Sequence, residues 1–110
     1  MEFNSNKEQG AVTIEVSGRM DANTAPEFEQ ECAKWLEQGE TTLIVDLQNL
    51  EYISSAGLRS VLASGKKLKA QNGSLILCNL SGMVEEVFNI SGFSSIFPIY
   101  DSKETALKNV

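Results

Sequence analysis

Polar and apolar residues first alternate along this chain and then give way to helical spacing and continuous apolar runs. Val12, Ile14 and Val16 alternate with Thr13 and Glu15. That alternation predicts a strand with one wet face. Before it, Phe3 lies in a polar stretch that ends at Glu8-Gln9-Gly10. A short strand and a turn follow from this pattern, giving an N-terminal hairpin. Thr24 and Glu27 have capping-box spacing, and Pro26 fits a first helical turn. Phe28, Cys32, Trp35 and Leu36 then recur on one helical face. A helix over about 25–38, stopped by Gly39, is the expectation.

The run Thr42-Leu43-Ile44-Val45-Asp46-Leu47 predicts a strand covered on both faces. The following QNLEYISS reads as a loop. Leu58, Val61, Leu62, Gly65 and Leu68 mark an amphipathic helix ending near Asn72-Gly73, and Ser74-Leu75-Ile76-Leu77-Cys78 marks the next buried strand. Residues 42–78 are therefore expected to form a right-handed βαβ unit with parallel strands. Ser81 is placed to cap a short helix carrying Met83, Val84, Val87 and Phe88, with Gly92 near its end. Residues 97–100 suit an edge strand, where Pro98 is tolerated. Ser102 caps a last helix with Ala106 and Leu107 facing inward. Phe28, Trp35 and Phe88 read as core. The fold class is α/β: one domain over 1–110, a small mixed β-sheet with helices mainly on one face.

The chain has 110 residues, 42% hydrophobic and 22% charged, an ordinary globular mixture that can bury a core without staples. Its net charge of −6 argues against a nucleic-acid or anionic-membrane partner. The basic cluster Lys66, Lys67 and Lys69 sits near a helix C-terminus, which the helix dipole favours as a solvated face. Cys32 and Cys78 have neither metal-knuckle nor redox-pair spacing and read as buried thiols in a reducing cytoplasm. MEFNSNKEQG shows no signal peptide, and no apolar run approaches the ~20 residues that span a bilayer. There is no histidine. That removes the common general base and zinc ligand, so no metal or cofactor is expected and an enzyme is disfavoured.

Tyr52-Ile53-Ser54-Ser55-Ala56-Gly57-Leu58 joins the end of a central strand to a helix. Partners of open α/β sheets bind at such strand ends, and helix N-termini stabilise negative charge. A phosphoryl group on Ser55 would bring about −1.5 to −2 charges. Backbone N–H groups from Ala56 to Leu58 are available to receive it, and Gly57 would let the backbone approach closely. Serine before a helix is also a common N-cap, and either Ser54 or Ser55 can be the cap or the acceptor. Asp21 either contacts a partner beside this turn or ends its own turn. Arg59, one helical turn after Ser55, either pairs with a phosphate or partner carboxylate or is simply solvated. Asp46 stands at a strand end without the acidic pair that would hold magnesium, so its expected role is structural.

The run LIVDLQNLEYISSAGLRSVL resembles the core signature of the STAS family, which includes the anti-sigma factor antagonists. Gly18-Arg19-Met20-Asp21 is similar to that family's Gly-x-Leu-Asp turn, and NGSLILCNLSGMVEEVFNISGFSSIFPIYDSKETAL to its C-terminal half. The resemblance places the phosphoacceptor at Ser55, with Ser54 where the family often has Asp and Ala56 where it often has a second hydroxyl. It implies a protein that binds an anti-sigma factor, usually a serine protein kinase, when unphosphorylated. Phosphorylation releases it, a serine phosphatase resets it, and it performs no catalysis itself. Asp21, Ser54, Ser55, Ala56, Gly57 and Arg59 are then the expected contact residues. The alternative keeps the fold without the switch, as a scaffold subunit of a lipid transporter or signalling complex. A small enzyme or nucleotide-binding protein lacks support, since no Gly-rich phosphate loop is present.

Overall fold

A computed structural model describes all of residues 1–110. The chain opens with the expected hairpin, β1 (Glu2–Glu8) antiparallel to β2 (Ala11–Met20). Gln9 and Gly10 form its tip with φ of 54° and 81°, the left-handed pair that matches strand twist in a two-residue turn. Then follow α1 (Ala25–Glu37), β3 (Thr42–Asp46), β4 (Leu50–Ile53), α2 (Ser55–Ala70) and β5 (Ser74–Cys78). The chain closes with α3 (Gly82–Ile90), a 3-10 turn at Phe93–Ser95, β6 (Ile99–Tyr100) and α4 (Lys103–Lys108).

The sheet runs β1-β2-β3-β5-β6, with β3, β5 and β6 added in parallel beyond β2. Both faces are covered over its centre, while β1 at the edge leaves Glu2, Asn4 and Asn6 exposed. On one, Val12, Ile14, Leu43, Val45, Leu75 and Leu77 meet Phe28 of α1, Val61 and Leu68 of α2, and Val84 and Phe88 of α3. On the other, Ala11, Ile44, Ile76 and Cys78 meet Ala106 and Leu107 of α4. The alternating side chains of β3 and β5 thus feed opposite cores, which explains their continuous apolar spelling.

Several expectations change. β2 has no fully wet face, because Ala11 on its second face is covered in the cluster with α4 and Thr13 is buried, its hydroxyl donating to the Asn6 carbonyl at 3.1 Å. Trp35 is only half-buried, its indole N–H donating to Glu31, whereas Phe28 and Phe88 are fully enclosed. Thr24 is the N-cap of α1 but forms no capping box: its hydroxyl donates backward to the Arg19 carbonyl. The supposed loop after β3 contains a strand. β4 pairs in parallel with the far half of β2, so that β3 and β4 occupy successive stretches of one β2 edge. Gly18 makes this possible. Its φ of 104° coincides with the register shift between Gly18 and Arg19, and that left-handed geometry favours glycine at such a bulge.

Candidate functional site

β4 ends where α2 begins, and this junction lies beside the end of β2. Met20 pairs with Ile53, and the Met20 carbonyl accepts the Ser54 N–H at 2.9 Å. The turn that starts at Asp21 and the turn that carries Ser54 and Ser55 are therefore neighbours at one end of the sheet.

The structure separates the two serines. Ser54 is the N-cap of α2: its backbone is extended, and its side-chain oxygen accepts the Gly57 N–H at 3.2 Å. Its carbonyl accepts the Leu58 N–H at 2.9 Å. Ser55 is the first helical residue, exposed, with its hydroxyl free of any partner in the fold. Capping and acceptor chemistry thus fall on adjacent residues rather than competing for one. Replacing Ser54 by Ala should cost about 0.5–2 kcal/mol of stability, and by Gly only a few tenths. Urea unfolding of the two variants beside the wild type measures the difference.

Two expectations about the anion seat are corrected. The N–H groups of Gly57 and Leu58 are occupied by Ser54, so those of Ser55 and Ala56 remain unpartnered at the helix start. Gly57 does not serve to admit a ligand. It is buried, and a Cβ there would stand 2.8 Å from Ile53 Cγ1 and 2.8 Å from the Met20 carbonyl oxygen. Its missing side chain instead lets α2 sit directly on the β2–β4 junction.

Asp21 is half-buried and ties its own turn. Its carboxylate accepts the N–H groups of Asn23 at 3.0 Å and Thr24 at 3.2 Å, while its own N–H donates to the Thr24 hydroxyl oxygen at 2.9 Å. The Asn23 N–H, helped by the Thr24 donors and the nearby Arg19 guanidinium, holds the carboxyl below its ordinary value. A lowered folded-state pKa contributes stability above the unfolded value, lost as pH falls through the folded one. The stability advantage of the wild type over Asp21→Asn should therefore be full above about pH 4 and fade below it. Denaturation midpoints of both proteins from neutral pH downward check the sign.

Arg59 is exposed and forms no ion pair within the chain. Ala56 is half-buried between Ser55 and Gly57. Asp46 is structural, as expected: it accepts the Gln48 N–H and the Asn79 side-chain amide, both at 3.0 Å. No cluster of ligating side chains is present to hold a metal ion. Cys32 and Cys78 are buried and unpaired, and burial pushes both thiols up to about 12. Neither is a thiolate nucleophile at neutral pH.

One feature of the site escaped the sequence. Arg19 and Tyr52 are register partners across β2 and β4, and the guanidinium carbon lies 4.2 Å from the Tyr52 ring centroid. This stack holds a cation beside the junction. Its only sequence signal was the four-residue run Leu50-Glu51-Tyr52-Ile53, too short to announce a strand.

The junction therefore exposes a free hydroxyl beside two open helix amides. The STAS domain model matches residues 2–106. BtrV of Bordetella bronchiseptica, named as an anti-sigma factor antagonist, is 42% identical over 106 residues, which is 96% of this chain and 91% of that one. A Thermotoga maritima protein described as an anti-sigma factor antagonist superposes with a TM-score of 0.92 at 21% identity, covering 98% of this chain and 93% of the other. The Bacillus cell fate determinant SpoIIAA, solved in its phosphorylated form, superposes with a TM-score of 0.75 at 25% identity and covers 98% of each chain. No helix is long and apolar enough to cross a membrane.

Proposed function

The chain belongs to the STAS domain family, and from that premise we propose that it is an anti-sigma factor antagonist switched at Ser55. Unphosphorylated, it docks its β4–α2 junction on an anti-sigma factor of the serine-kinase type and so frees a sigma factor for transcription. The kinase transfers a phosphoryl group to Ser55 and lets go, and a serine phosphatase restores the hydroxyl. The protein is ligand and substrate in this cycle, acts in the cytoplasm, and contributes no catalysis.

One observation carries the reading: Ser55 is exposed at the first position of α2 while Ser54 takes the cap. Modification of Ser55 then costs the fold no hydrogen bond. A phosphate there also gains from the helix dipole and the open Ser55 and Ala56 amides. The same dianion is costly to a partner closed over it, which must desolvate it. Asp21 and Arg59 flank the surface as contact residues. With Ser54 in place of a carboxylate, orientation of the acceptor falls to the helix start itself.

Intact mass after incubation with ATP and the cognate kinase tests this directly. The wild type should gain one phosphoryl group and Ser55→Ala none. A Ser55→Ala protein that is still phosphorylated moves the acceptor elsewhere. Absence of phosphate with every candidate kinase favours a STAS scaffold subunit of a lipid transporter or signalling complex.

A further inference from the structure

At the opposite end of α2 from Ser55 lies a groove of about 590 Å³, within the usual size range of small-molecule sites. One wall is the C-terminal half of α2, through Leu62, Gly65, Lys66 and Lys69; the other is the segment Ile96-Phe97-Pro98 leading into β6. Leu75 of β5 also lines it. Its apolar floor depends on Gly65, because the Phe97 ring edge stands 2.5 Å from where a Cβ on Gly65 would be. Ile96, at 53% exposure, leaves the groove with an apolar lip open to solvent.

The charge at this lip is the second, separate observation. In a chain of net charge −6, no acidic residue lines the groove. Lys66 and Lys69 stand three residues apart on α2 and both line the groove, and both are exposed and free of ion pairs within the chain. An apolar trough with cations on one rim fits a molecule with an aliphatic body and an anionic head. The solvated-face reading of these lysines explains their exposure but not the apolar trough beside them.

We propose that this groove binds a medium-chain aliphatic carboxylate, its tail along Leu62, Leu75 and Phe97 and its carboxylate between Lys66 and Lys69. Eleven residues of helix, about 16 Å of rise, separate Lys66 from Ser55. The site is thus independent of the phosphorylation reading and stands or falls without it.

Decanoate titrated below its micellar concentration into the ¹⁵N-labelled chain tests the proposal. Saturable shifts should appear at the Gly65, Gly73 and Phe97 amides and leave those of Ser55 and Ala56 unmoved. Decanol, with the same tail and no charge, should bind more weakly. The surface double variant Lys66→Gln/Lys69→Gln should weaken decanoate about fivefold to tenfold and decanol not at all. Shifts confined to other regions, equal binding of decanol and decanoate, or an unaffected double variant would each overturn it. Cosedimentation with phosphatidylglycerol vesicles without a response to free decanoate would overturn it too, assigning the lysines to a membrane surface instead.

Discussion

Ser55→Asp should weaken binding to the anti-sigma partner by about 30- to 100-fold, while far-UV circular dichroism and thermal unfolding stay at wild-type values or slightly above. Burying an unpaired charge in an interface costs about 2–5 kcal/mol, and tenfold in affinity corresponds to about 1.4 kcal/mol. One carboxylate carries about half the charge of a phosphoryl group, which sets the lower part of that range. The fold has the opposite preference. An acidic residue at the first position of α2 meets the positive end of the helix dipole, a gain of about 0.3–1 kcal/mol, and Ser55 makes no hydrogen bond that the change would break. Ser55→Ala should bind as the wild type does. Calorimetric titration of the purified partner with the three proteins separates the cases. Equal affinity for Ser55→Asp and wild type would remove the junction from the interface. Loss of folding in either variant would make Ser55, not Ser54, the structural residue.

Gly57→Ala should destabilise the domain by about 1–3 kcal/mol, the range for overpacking a tight contact. The added methyl group meets the Ile53 side chain and the Met20 carbonyl oxygen, both at 2.8 Å, and backbone cannot yield as a flexible side chain can. Relief requires α2 to lift from the β2–β4 junction. That displacement also strains the Ser54 bridge, in which its N–H donates to the Met20 carbonyl and its hydroxyl oxygen accepts the Gly57 N–H. Partner affinity should fall together with the unfolding midpoint, unlike Ser55→Asp, where only affinity falls. Helix propensity alone would favour Gly57→Ala by about 1 kcal/mol, so a lowered urea midpoint for this variant isolates the steric cost. An unchanged midpoint for Gly57→Ala would show that the helix start is not seated on the strands.

These two residues also mark how far the sequence could be read. The strand, the serine pair and the amphipathic helix were legible in the spelling, whereas the choice of Ser55 as acceptor came from the family resemblance. Which serine capped the helix was not legible, since both have the chemistry and neighbouring positions. The decision came from the Ser54 backbone, tied to Met20 some thirty residues earlier in the chain. Gly57 was read for its lack of a side chain, but the space it leaves is filled by β2 and β4 rather than by a ligand. Trp35 was assigned to the core from helical spacing; its face meets the edge of the domain, where Glu31 takes the indole N–H.

From the sequence alone came the order of strands and helices over most of the chain, the two-sided burial of β3 and β5, the N-terminal hairpin and the junction that carries the hydroxyl. Those features follow from local periodicity and turn chemistry, which act between residues a few positions apart. Only the tertiary structure decided that Leu50–Ile53 is a strand, that Gly18 bends β2 so that two strands can share its edge, and that Arg19 stacks on Tyr52. A four-residue strand has too little pattern of its own. It is held by hydrogen bonds to a distant partner, and those exist only once the chain has closed.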